Sequence, residues 1–311
     1  IIIPTGPLAS LPFALLIDSE PKSDRYSEAS WLVNRVAISH SPSLNTFYSQ
    51  RTIAPAKKPI KPLLAFGNPS LSGFDVQKDE KNGSNSPLSA LASSCRKVGP
   101  ASADLIRSLA PLPETEQELK TVGKILSTSN SPSILYSKDL ATEENLRNQS
   151  LKDYKVLYFA THGLLPGELK CQTELGLVMT PPAQSKSRDD DGLLEASEIA
   201  SLRINADIVV LSACNTAGSS GRFGGDSLSG LAEAFFFAGA RSLVVSHWQV
   251  PSRATASLMS AMFESLGPDL KTGSALSLRD AQKSLIKIEK TAHPFFWAAF
   301  VVVGDGIDES W

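Results

Sequence analysis

Two apolar runs, Lys155 to Ala160 and Ala206 to Ala213, constrain the fold more than any other feature of this chain. Neither alternates apolar with polar residues, as a strand with one wet face would. Continuous apolarity over so few residues is what a strand buried on both faces of a parallel sheet requires. Helical spacing surrounds them. Pro113-Glu114-Thr115 opens a helix with Leu119, Val122, Ile125 and Leu126 on one face, and Thr142 is placed to cap another running toward Leu151. A helix ending at Phe237 has Gly239 as its stop, Arg241 to Trp248 reads as the next strand, Ser252 to Leu266 and Ser274 to Ile288 read as helices, and Phe296 to Val303 as a last strand. Ile134 to Tyr136 and Leu63 to Phe66 read as further strands, as do Leu11 to Asp18 and Trp31 to Ser39. Such alternation predicts an α/β fold with a mainly parallel central sheet flanked by helices.

From Ser70 to Ser102 the chain is rich in Ser, Asn, Gly and Pro, the composition of a long flexible loop and the natural internal boundary. We therefore expect a smaller subdomain over 1–112, with its loop at about 70–102, and a larger one over 113–311. The start at Ile1 without an initiator Met leads us to expect a piece cut from a longer protein. Leu8 to Ile17 and Phe295 to Val303, the most apolar stretches, fall short of the ~20 residues that span a bilayer, and Pro4, Pro7 and Pro12 interrupt the N-terminal apolar run. Neither a membrane span nor a signal peptide is expected. With 30 basic against 32 acidic side chains, nothing in bulk charge calls for nucleic acid or an anionic membrane. Cys95, Cys171 and Cys214 are odd in number and lack metal-ligand spacing, so neither a disulfide framework nor a zinc site is expected, and a cytoplasmic setting is.

Both buried runs end in chemistry. Tyr158-Phe159-Ala160 leads into Thr161-His162-Gly163, and Val210-Leu211-Ser212 leads into Ala213-Cys214-Asn215. Ligands of open parallel sheets bind beyond the carboxyl ends of the strands, which is where both His162 and Cys214 fall. A thiolate attacks a carbonyl, an imidazole manages the protons, and backbone N–H groups hold the oxyanion. Gly163 can present an amide without a side chain in the way, and the N–H of Cys214 can be the second donor. On pattern alone an alternative stands beside this one: Cys214 as a small buried hydrophobe closing a strand, and His162 as a satisfied polar residue.

Beyond the two strand ends come Gly230-Leu231-Ala232-Glu233-Ala234-Phe235, Ala238-Gly239-Ala240-Arg241 and His293-Pro294-Phe295-Phe296-Trp297-Ala298-Ala299-Phe300. In this order, with His162-Gly163 and Ser212-Ala213-Cys214-Asn215-Thr216-Ala217-Gly218, the series resembles the CHAT family from about Pro4 to Asp305. These are caspase-like cysteine peptidases of clan CD, related to separase and often found behind tetratricopeptide repeats. The resemblance implies a caspase-like three-layer fold whose N-terminal part is degenerate, His162 as general base and Cys214 as nucleophile of an endopeptidase. It further implies a protein substrate, with gasdermin-like and CRISPR-associated proteins among those of bacterial defence members, and activation by a sensor region or partner. No cofactor or metal is needed. The alternative it leaves open is a catalytically silent interaction module. Ser212, Asp226, His247, Trp248 and Gln249 are expected near the substrate groove. Trp248-Gln249-Val250-Pro251-Ser252 lacks the acidic residue many relatives carry after the Trp, so the preferred residue before the scissile bond is not transferable.

Weaker signals point elsewhere. Gly225-Asp226-Ser227-Leu228 spells an esterase box, but no histidine has Asp three residues before it, and Asp226 as helix cap with Ser227 in the first turn is the better reading. The glycines of Asn215 to Gly225 lack the Lys of a phosphate loop. Asp189-Asp190-Asp191 reads as a solvated acidic loop rather than a cation site, His247 as a core or pocket-wall residue, and His40 and Cys95 as structural or surface residues.

Overall fold

The computed structural model describes residues 1–21, 23–52, 58–72, 106–168, 172–182, 190–212 and 227–306. All three cysteines, Asp226, Asp189, the glycine-rich 215–225 segment and nearly all of the expected 70–102 loop lie outside these residues. Ten strands lie among the described ones: β1 (Ser39–His40), β2 (Lys61–Pro69), β3 (Ile134–Lys138), β4 (Tyr154–Ala160), β5 (Gly163–Leu164), β6 (Gly176–Val178), β7 (Leu193–Glu195), β8 (Ile208–Leu211), β9 (Ser242–Ser246) and β10 (Phe300–Gly304). The helices are α1 (Leu44–Thr52), α2 (Pro113–Leu126), α3 (Glu143–Arg147), α4 (Ala196–Ser201), α5 (Ser227–Ala238), α6 (Ser252–Leu266), α7 (Ser274–Ile286) and α8 (Pro294–Trp297).

Seven strands form one sheet in the order β1-β10-β9-β8-β4-β2-β3. The run from β3 to β9 is parallel, β10 is antiparallel to β9, and β5-β6-β7 make a small antiparallel sheet after β4. The apolar runs are continuous because successive residues feed opposite cores. Leu63, Ala65, Val156, Tyr158, Ile208 and Val210 join one cluster with α2, α6 and α7, whereas Leu64, Phe66, Leu157, Phe159, Val209 and Leu211 join another with α4 and α5. Each Val, Leu, Ile or Phe side chain among them, fully buried, contributes roughly 1.5–3 kcal/mol. Helix α2 sits unusually close to the sheet. A Cβ at Gly67 would come within 2.8 Å of a Leu119 methyl and 3.0 Å of the Ala160 carbonyl.

The structure departs from expectation at several points. The runs 11–18 and 31–39 are not strands. They hold 3-10 turns at Phe13–Leu15 and Leu32–Asn34, one isolated bridge between Ile17 and Trp31, and only Ser39–His40 as ladder. Pro12 removes a backbone donor that a ladder needs. Residues 294–297 are helical, so the last strand starts at Phe300. The stretch 1–112 supplies β1 to one edge of the common sheet and β2 to its interior, between β3 and β4. Asp191 is not solvated: it is 2% exposed, and its carboxylate accepts the Leu193 N–H at 2.9 Å. The Glu143 carboxylate accepts the Asp191 and Gly192 amides and pairs with Arg147, which pulls this segment inward. Among the described residues no helix is long and apolar enough to cross a membrane, and no group of three His, Cys, Asp or Glu side chains is placed to hold a metal.

Candidate active site

Strand order reverses between β2 and β4: the chain goes outward from β2 to β3, then returns past β2 to β4 and continues through β8 to β9. At such a switch the connections leave on opposite faces, and a crevice opens beyond the carboxyl ends of the strands. Four chain segments end there, at Asn68, His162, Ser212 and His247.

The backbone around His162 is fixed by the small sheet. Its carbonyl accepts the Val178 amide at 2.9 Å, and the Thr161 hydroxyl donates to the Val178 carbonyl. Across a planar trans peptide the C=O and the following N–H point opposite ways. The Gly163 amide is therefore directed away from β6. The half-buried imidazole of His162 has Nε2 2.7 Å from the Ala110 carbonyl oxygen. A carbonyl only accepts, so Nε2 bears the proton and Nδ1 of the neutral ring keeps its lone pair.

On the neighbouring strand the Ser212 amide donates to the Phe159 carbonyl at 2.9 Å. Register pairs Phe159 with Leu211, and His162 and Cys214 each lie three residues beyond that pair in sequence. The Ser212 hydroxyl is engaged with both Tyr158 and Glu118, and the Tyr158 hydroxyl donates to Glu118 Oε1. Glu118 is 3% exposed. Burial, the largest influence, pushes its carboxyl up to about 7 against the pull of the two hydroxyls, and pushes the Tyr158 phenol up as well.

His247 follows β9, buried, its amide donating to the Ala299 carbonyl at 2.9 Å. Trp248 is half-buried with its indole N–H on the Phe295 carbonyl at 3.0 Å, and Gln249 is exposed. The Ser252 hydroxyl, at the start of α6, donates to Glu114 at 2.6 Å. His162, Ser212 and His247 to Gln249 thus sit at carboxyl ends of neighbouring strands of one sheet, while Cys214 and Asp226 lie outside the described residues. His40 is buried on β1, far along the strand order, with Nδ1 3.3 Å from the Val302 carbonyl.

Three groups at this site escaped the sequence reading: the Ala110 carbonyl, Glu118 and Tyr158. A backbone carbonyl carries no sequence signal. Glu118 does carry one, because it lies four residues before Val122 on the apolar side of α2, where an unpaired acid would be costly.

The sequence profile of the CHAT domain matches residues 1–305. Tetratricopeptide repeat protein 28 of Mus musculus is 29% identical over 230 residues, which is 63% of this chain and 9% of that protein. The Homo sapiens protein of the same name is 28% identical over 277 residues, 77% of this chain and 10% of that one. This chain thus spans about a tenth of the length of these curated relatives. Among solved structures, the complex of Porphyromonas gingivalis RgpB pro- and mature domains gives a TM-score of 0.50 at 11% identity, covering 92% of this chain and 57% of that one. A Saccharomyces cerevisiae separase–securin complex gives 0.49 at 16% identity, covering 88% and 14%. RgpB is described as an Arg-specific cysteine proteinase. At 11% identity the likeness to RgpB is one of fold, and the fold is the caspase-like one.

Proposed function

The chain belongs to the CHAT domain family, and from that premise we propose that it is a cysteine endopeptidase in which Cys214 and His162 act as a dyad. The observation that carries this reading is the β4–β8 register, which pairs Phe159 with Leu211 three residues before each member of the pair. His162 takes the thiol proton on Nδ1 while the Ala110 carbonyl holds Nε2–H, so the imidazolium that forms is oriented and partly compensated. The thiolate attacks the peptide carbonyl, the oxyanion is met by the Gly163 and Cys214 amides, and the leaving amine collects the proton from His162. Water then resolves the thioester, with His162 again as base.

The substrate in this reading is a protein, and its groove runs past Trp248, Gln249 and Asp226. Gasdermin-like and CRISPR-associated proteins are the first to offer it, together with the sensor region or partner that would switch it on. The relatives' tetratricopeptide name makes a repeat region the first sensor to try.

A peptidyl electrophile should label the wild-type protein at Cys214, and neither Cys95→Ala nor Cys171→Ala should diminish that labelling. Cys214→Ala and His162→Ala should each abolish turnover of a candidate protein followed by mass spectrometry of its new termini. Cleavage surviving in Cys214→Ala would refute the assignment.

A further inference from the structure

The first half of α2 and the residues just before it contact three of the four chain segments that end at the crevice, and the start of α6 beyond the fourth. The Thr115 hydroxyl receives the Asn68 amide at 2.9 Å, at the end of β2. The Ala110 carbonyl receives His162 Nε2 after β4. Glu118 receives Tyr158 and is hydrogen-bonded to Ser212 at the end of β8. Glu114 receives Ser252, beyond β9. One stretch of nine residues, 110–118, thus contacts the ends of β2, β4 and β8 and the start of α6. Of these contacts only that of Glu118 is made by a carboxyl buried among apolar side chains. Among the described residues its neighbours offer no counter-ion: α6 presents Ala254, Thr255, Leu258, Met259, Met262 and Phe263 from its buried face, β2 presents Asn68 as its buried polar side chain, and Lys138 of β3 pairs with Glu116. Among the described residues, the ionisable groups that act on it are Tyr158 and, on its own helix, Glu114.

Burying an acid costs free energy that the Tyr158 and Ser212 hydroxyls offset only in part, so its retention calls for a positional reason. We propose that Glu118 is a positioning residue: through Tyr158 and Ser212 it fixes the end of β8, two residues before Cys214, against the same α2 segment whose Ala110 carbonyl orients His162, and so sets thiol and imidazole in register. This rests on the dyad reading. It gives Ser212 a tethering role in place of the substrate contact expected from sequence.

The test follows alkylation by iodoacetamide, in which the thiolate sulfur displaces iodide, and so needs no known substrate. In the intact protein, rates at Cys214, Cys95 and Cys171 are read from the mass shifts of their tryptic peptides at pH 7, beside a urea midpoint for each variant. Glu118→Gln should slow Cys214 by about tenfold, the scale on which small misplacements act, and leave Cys95 and Cys171 unchanged. Tyr158→Phe, which removes one hydroxyl, should do the same and carries the test if Glu118→Gln does not fold. Cys214 rates equal to wild type in a folded variant would overturn the proposal. So would a common rise at all three cysteines, which marks loosening of the whole structure. His162→Ala separates the two levels: if it leaves Cys214 alkylation unchanged, the dyad fails, whatever Glu118 does.

Discussion

Glu118 also makes a prediction about stability that does not depend on any catalytic reading. Its carboxyl is pushed up from 4.5 to about 7 by burial. At about 1.4 kcal/mol per pH unit, that displacement corresponds to about 3 kcal/mol between its two protonation states. The direction follows from proton counting. Between pH 4.5 and 7 the folded protein holds a proton here that the unfolded chain has released, so stability falls as pH rises. The contribution is fully present below pH 4.5, is lost through this window, and changes no further above about pH 7. In Glu118→Gln the position cannot titrate. The measurement is urea unfolding of wild type and Glu118→Gln at half-unit steps from pH 4.5 to 8, taking the difference between the two free-energy curves. Subtraction removes what other groups contribute, including Glu143, whose carboxyl burial also pushes up. The difference curve should move by about 3 kcal/mol in favour of the variant between pH 4.5 and 7, then run flat. Parallel curves would show that the carboxyl titrates as it does in water, and the burial argument would fail with them.

Two other perturbations probe the frame rather than the site. Gly239 has φ +111°, and a Cβ there would come within 2.2 Å of the Ile204 carbonyl oxygen; Gly239→Ala should cost about 3 kcal/mol or more from left-handed strain plus backbone displacement, and a thermal midpoint within a degree or two of wild type would contradict that. His40 is 4% exposed with burial holding its pKa below 6.5, so below pH 6.5 the unfolded chain binds a proton that the folded chain resists. Stability should fall as pH drops from 7 toward 5, and His40→Leu should flatten that part of the melting profile; an unchanged slope would mean that the ring is already wet.

What the sequence made legible was whatever burial writes into local pattern. The strands 154–160, 208–211 and 242–246 are recognisable because their residues alternate between two cores, which leaves the whole run apolar. Helices α2 and α6 are recognisable from their apolar stripes, and Gly239 from the turn only a glycine makes comfortably. The N-terminal residues misled for the same reason. Ala14, Ala29, Trp31 and Val33 are buried, and Trp31 lies edge-on to Trp297 at 5.4 Å, so the stretch looks like strand although its proline-broken backbone forms 3-10 turns. Burial sets which residues are apolar; the supply of backbone donors decides whether they can form a ladder.

The same distinction explains why half of the candidate site was readable and half was not. His162 and Cys214, the proposed dyad, are picked out by residue type, each following a buried strand in the sequence. What holds His162 is a backbone carbonyl 52 residues earlier, and what holds Ser212 is an acid on the helix that begins three residues after that carbonyl. Neither follows from local pattern, since both contacts come into being only when α2 packs onto β2 and β4 with Gly67 permitting the close approach. A larger residue at 67 would leave every motif of the sequence intact while lifting Leu119, and Glu118 beside it, off the strands. The motifs therefore name the groups that the proposed dyad needs, and the fit of one helix on one glycine sets the Ala110–His162 and Glu118–Ser212 contacts around them.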